Sequence, residues 1–310
     1  MNSGALIAPL FFMNVFSFLY LISIFIIFNI YAGFGDINFQ NQILISSSLI
    51  ILFGIPHGSL DNILFLSKNK ISVFSFYTIY LFIAFIYLIV WIWWPYYSFI
   101  FFLIISAYHF GESHFSDYKL KFKAKNFVFI IWGLFLMTSL LFLNSSELIL
   151  TSEFFFDTKQ FSSIYSDKII SNLFYVSLIL TVLMLLFLVY KKYITTEDMF
   201  SEIFQYFLIF ITFYLFPIII GFTLYFVFIH SFRSLYHEYK YLKKIKKIKS
   251  IFNFIKLLIP HSIAAYFFTF IICYASLNNV LNISLPMVIL IIVSVITLPH
   301  ALVMSNFYNK

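Results

Sequence analysis

Long apolar runs, broken at near-regular intervals by short polar segments, dominate the chain. No strand-like alternation of apolar and polar positions competes with them. The runs fall at about 6–31, 43–66, 71–94, 97–116, 127–144, 169–190, 202–216, 218–239, 251–277 and 284–307. A helix of roughly 20 apolar residues crosses the hydrocarbon core of a bilayer. The pattern therefore predicts an all-α, polytopic transmembrane helix bundle of about ten spans, forming a single integral membrane domain over residues 1–310. The break at Pro217 decides the count, because one helix of about 38 residues is too long for a single crossing. The run from Leu6 to Tyr31 is too long for a signal h-region and has neither a basic flank nor a small-residue cleavage site. It reads as a span.

Charge placement fixes a direction. Lys68 and Lys70 follow the second span, Lys119, Lys121, Lys123 and Lys125 the fourth, Lys191 and Lys192 the sixth, and a cluster from Lys240 to Lys249 the eighth. Lys310 falls on the same side. The other loops hold only Lys159 and Lys168, within an acidic stretch containing Glu147, Glu153, Asp157 and Asp167. Positively charged loops stay cytoplasmic, so both termini are expected in the cytoplasm of a multi-pass plasma-membrane protein. Trp91, Trp93 and Trp94 then read as an outer interfacial belt, and the Ser- and acid-rich loop at about 145–168 as a cap on the outer face.

Composition agrees: 63% of residues are hydrophobic and 10% charged, against roughly 25% charged in soluble domains. The net charge of +7 does not indicate nucleic acid, because the lysines are dispersed through loops between apolar runs. The single Cys273 excludes an intrachain disulfide and a cysteine cluster.

Ionisable residues inside spans carry the functional signal, since the bilayer makes them costly. Span two contains Gly54-Ile55-Pro56-His57-Gly58-Ser59-Leu60-Asp61 and span four contains Tyr108-His109-Phe110-Gly111-Glu112-Ser113-His114. Span eight contains His230-Ser231-Phe232-Arg233-Ser234-Leu235-Tyr236-His237, and span ten Leu298-Pro299-His300. All four are even-numbered and run the same way. His57, His109, His230 and His300 lie about 12–17 residues past the outer ends of their helices, one layer at 1.5 Å per residue. Four histidines at one depth on parallel helices can hold a metal in a bundle core. His114 and His237 are secondary candidates. His261, on an odd span, reads as interhelical hydrogen bonding. Asp61 and Glu112 are the only acidic residues placed well inside spans, one turn from His57 and His109, where a carboxylate can orient a ligating imidazole. Arg233, the sole arginine, could hold a carboxylate such as Glu112. Pro56 and Pro299 each free a backbone carbonyl one turn earlier. Imidazoles with few carboxylates suit Fe, Zn or Cu, and spacing does not choose among them.

The segments GIPHGSLDN at 54–62, AYHFGESHF at 107–115, HSFRSL at 230–235 and LPHALVM at 298–304 resemble the Brp/Blh family of membrane β-carotene 15,15′-dioxygenases. The resemblance implies an iron(II) enzyme that splits β-carotene with O₂ into two all-trans-retinals, with a functional link to a retinal-binding rhodopsin. It implies His57, His109 and His230 as iron ligands. Where the family's third motif reads H-S-x-x-H, this chain has Ser234, so either His237 or His300 completes the set or the site has three histidines. The alternatives are another metal-dependent membrane oxidase, or a carotenoid- or retinal-binding or transporter-like protein. The first usually carries doubled histidine motifs, which this sequence lacks.

Overall fold

The computed structural model describes residues 14–309 apart from 36 and 119, and it is helical without strands among those residues. The start of the first span at 6–13, Lys119 and Lys310 lie outside them. The helices are α1 (Val15–Phe34), α2 (Phe39–Leu49), α3 (Asp61–Lys68), α4 (Val73–Trp93), α5 (Pro95–His114), α6 (Lys125–Leu143) and α7 (Ser145–Phe154), then α8 (Asp167–Tyr190), α9 (Thr196–Leu215), α10 (Ile218–Leu224), α11 (Phe232–Lys244), α12 (Ile251–Leu277) and α13 (Leu285–Tyr308). A π-helical turn, Ile50–Gly54, and a 3-10 turn, Ile55–Gly58, join α2 to α3 as one long rod. A second π turn, Tyr225–Ser231, joins α10 to α11.

Nine helical rods among the described residues are long and apolar enough to cross a membrane. The tenth predicted span is α5, which has the length but not the apolarity. Its last two turns carry Ser106, His109, Glu112, Ser113 and His114, all buried.

Contacts between rod ends bear out the alternating direction. At one end, Lys68 Nζ donates to the carbonyls of Asn306 and Phe307, Asn69 to Asn306 Oδ1, and Lys125 Nζ to Asn309 Oδ1. At the other, Asn144 donates to the Phe213 carbonyl, Glu147 accepts from the Ile218 N–H, and Asp157 accepts from the Ser284 N–H and hydroxyl. Lysine-rich and acidic loops thus gather at opposite ends. The chain turns at Phe216 and Pro217, which are extended, and folds back so that Tyr225 meets Phe213 at a ring separation of 6.2 Å.

The 145–168 loop is partly helical. Glu147 and Asp157 satisfy N-terminal N–H groups of α10 and α13, which would otherwise lack partners. Phe161 and Tyr165 pack with Phe99 and Trp91. Trp91 is therefore core rather than interfacial belt, because this loop covers it, while Trp93 and Trp94 remain exposed.

α5 and α6 pack backbone to backbone. A Cβ on Gly111 would land on the Phe129 carbonyl and one on Gly133 on the Ala107 carbonyl. Two small residues permit this approach, as at many membrane helix crossings. The contact pins the histidine-bearing end of α5.

Candidate metal centre

Local irregularity positions two of the four histidines. Pro56 has no N–H to continue the α-helical ladder, so the rod passes through a π turn and a 3-10 turn just where it reaches His57. The carbonyl used there is that of Gly54, which meets His57 Nδ1. The second π turn contains His230. His109 lies in the regular part of α5, and His300 follows Pro299 inside α13.

The four rings meet. Centroid separations are 5.1 Å for His57–His230, 4.9 Å for His230–His109, 5.0 Å for His109–His300 and 5.0 Å for His300–His57. One nitrogen from each of His57, His109 and His230 lies within 4.8 Å of the others. Imidazole bonds of about 2.0–2.1 Å to a small ion place ring centroids roughly 4.5–5.2 Å apart around it, so this spacing fits a shared ion.

The donor chemistry fits as well. All four histidines are buried, with 8% of His57, 5% of His300 and 2% each of His109 and His230 exposed. Both ring nitrogens of His109, Nε2 of His230 and Nε2 of His300 are buried without a hydrogen-bond partner. Buried polar atoms are almost always paired, so unpaired nitrogens on three neighbouring rings, one from each of His109, His230 and His300, are the chemistry of a metal-donor set.

Around this layer the wall is aromatic. Phe110 lies 4.7 Å from His230, and Phe226 stacks on His230 at 5.5 Å while meeting His57 edge-on at 5.3 Å. Gly54 is required beneath Phe226, because a Cβ there would come within 2.9 Å of its ring.

The carboxylates sit differently from their sequence neighbours. Asp61 serves His300, whose Nδ1 lies 2.9 and 3.0 Å from its two oxygens, and it also accepts from Tyr80 at 3.0 Å. Glu112 does not reach His109. It accepts from Tyr108, Ser305 and Asn309 instead. Arg233 does not hold Glu112 either. Its Nε and Nη2 donate to Asp117 at 3.1 and 2.7 Å, because Asp117, just past the end of α5, lies within their reach. Burial opposes ionisation of Asp117, but the adjacent His237 ring and the Arg233 charge outweigh it and hold this carboxyl well below the usual range.

The remaining candidates lie off the layer. His237 Nε2 is 3.3 Å from Asp117. His114 is held by Glu202 and stacks on Trp132 at 3.9 Å. His261 Nδ1 approaches the Leu257 carbonyl at 3.4 Å. Ser234 donates to Glu238 and lies 3.4 Å from the Tyr308 hydroxyl. Glu202 and Glu238 are buried too, although their positions in the sequence put neither well inside a span. Each sits a few residues from a polar loop, so hydropathy places it at a helix end rather than in the core.

Neither a curated protein nor a solved structure gives a significant match to this chain. A family model described as beta-carotene 15,15′-dioxygenase does, over residues 48–308, a stretch that includes all four converging histidines. The chain belongs to the beta-carotene 15,15′-dioxygenase family.

Proposed function

We propose that this protein cleaves β-carotene with O₂ at the central 15,15′ double bond, giving two molecules of retinal, at a ferrous ion held by His57, His109, His230 and His300. The observation that carries the reading is the closed cycle of four buried imidazoles, three of them with an unpaired ring nitrogen, inside the family match. A ferrous ion bound there supplies the redox chemistry by which O₂ reacts with an alkene.

In the overall reaction one C=C bond and the O=O bond are broken and two C=O bonds form. Both oxygens come from O₂, and no proton is consumed. No general acid or base is needed, so Asp61 acts as a positioning residue that fixes the tautomer and tilt of His300. The substrate is a hydrocarbon with no hydrogen-bonding group. Phe110, Phe226 and Phe222, which stacks on Phe226 at 5.6 Å, offer it an apolar wall, where recognition rests on shape and dispersion. Burial of the layer keeps bulk water from the reacting centre. A cell-membrane location suits the reaction, because the substrate dissolves in the bilayer.

The test is expression in a carotene-accumulating bacterial host, with pigment extraction and iron analysis of the purified protein. Loss of β-carotene with retinal formed, and about one iron per chain, is the expected result. Intact β-carotene from a well-expressed, iron-loaded protein refutes cleavage and leaves pigment binding as the activity.

A further inference from the structure

The histidine layer is buried, yet a substrate dissolved in lipid must reach it from the side. α12 is the helix to examine, because it packs against the Ile55–Gly58 turn that carries His57 and against α13, which carries His300. Its attachment is uneven. Phe254 and Leu258, in the half nearer the lysine-rich end, are buried in a cluster with Leu60, Leu64, Leu242 and Met304. From Ile263 to Ala275 no residue is buried.

The change falls at Pro260, inside the helix. Proline withdraws the N–H that would bond the Lys256 carbonyl, so the helix has a built-in weak point there. α4 is the instructive contrast. It is equally peripheral, but its outer half is anchored by the large buried side chains of Tyr87 and Trp91, whereas beyond Ser262 the one buried residue of α12 is the small Ser276.

Beyond Pro260 a single side-chain bond reaches across to the histidine-bearing rod. The Tyr266 hydroxyl donates to the carbonyl of Ile51, within the π turn that leads to His57. Segments with few buried contacts are the ones that open at low cost, and such elements commonly gate access to a site. His57, next to this helix, is also the most exposed of the four histidines.

We infer that the part of α12 beyond Pro260 is a lateral door, latched by Tyr266 on Ile51, through which an apolar rod-like substrate passes from the bilayer to the histidine layer. The substrate class rests on the function proposed above; the door itself rests on the packing.

The experiment uses the full chain in nanodiscs, with Ile51→Cys and Tyr266→Cys on a Cys273→Ser background. A short bis-thiosulfonate spacer, removable by reductant, joins the two cysteines. Iron content, transfer of β-carotene from donor vesicles into the protein, and retinal formation are followed in the open, cross-linked and re-reduced states. The cross-linked protein should keep its iron, lose about tenfold or more in pigment uptake and retinal formation, and recover both on reduction. Tyr266→Phe, without a cross-link, should take up pigment faster than the native chain.

Uptake by the cross-linked protein at the open rate overturns the door, as does absence of uptake in every state. Gated uptake without retinal in any state upholds the door and refutes the proposed cleavage, which keeps the two failures distinct.

Discussion

Asp61→Asn isolates the one carboxylate that touches the histidine layer. In the native protein His300 Nδ1 is bracketed by both Asp61 oxygens at 2.9 and 3.0 Å, and the pair is buried. Asparagine keeps the volume and one acceptor oxygen but loses the charge that makes the imidazole a stronger donor. Loss of such a partner typically costs 10–100-fold in metal affinity. Because one acceptor survives, the substitution belongs near the lower end, about tenfold, or roughly 1.4 kcal/mol. Asp61→Ala removes the second acceptor and strands the Tyr80 hydroxyl as well, so about a hundredfold is expected. The assay is iron(II) competition against a chelator of known affinity, on protein that elutes as the native species in gel filtration. Native iron affinity in Asp61→Asn, in a series where His57→Ala loses iron, would refute the positioning role.

Three further outcomes follow from the packing and charge. Gly111→Ala should lower thermal stability in detergent by about 1–3 kcal/mol, since α5 and α6 must separate to admit a methyl group against the Phe129 carbonyl. Ser234→Ala should leave iron content unchanged and cost about 1 kcal/mol, the worth of its bond to Glu238, whereas His300→Ala should lower iron content. The folded pKa of Asp117 lies below its unfolded value of about 3.9, so its stabilising contribution is complete above that value and is lost as pH falls toward the folded one. Asp117 is half exposed, which limits the effect to about 1 kcal/mol; Asp117→Asn should flatten the acid limb of a pH–stability curve.

The architecture was legible because a bilayer imposes few solutions. Apolar length and lysine alternation give all ten rods, including the break at Pro217, and the parity of the rods puts four histidines in one layer. The side-chain pairing was not legible. Asp61 is one turn from His57, yet the intervening 3-10 turn disrupts regular helical spacing, and its carboxylate meets α13 instead. Arg233 could not be matched to Asp117 because Asp117 reads as a loop residue. It is the tight α5–α6 crossing that fixes the α5 end bearing Asp117. Trp91 misleads in the same way, since an aromatic near a helix end resembles an interfacial anchor until a loop is seen to cover it.

The irregular turns that carry His57 and His230 both precede α13 in the chain, which bears on how the layer comes into being. His57, His109 and His230 precede His300 in the chain, His57 within the 3-10 turn Ile55–Gly58 and His230 within the π turn Tyr225–Ser231. In chain order three of the four rings come before α13, which leaves the flank beside His57 and His109 to be filled by His300. Insertion of α13 closes that flank. A metal ion bound at the proposed site would be enclosed only once the final hairpin is in place.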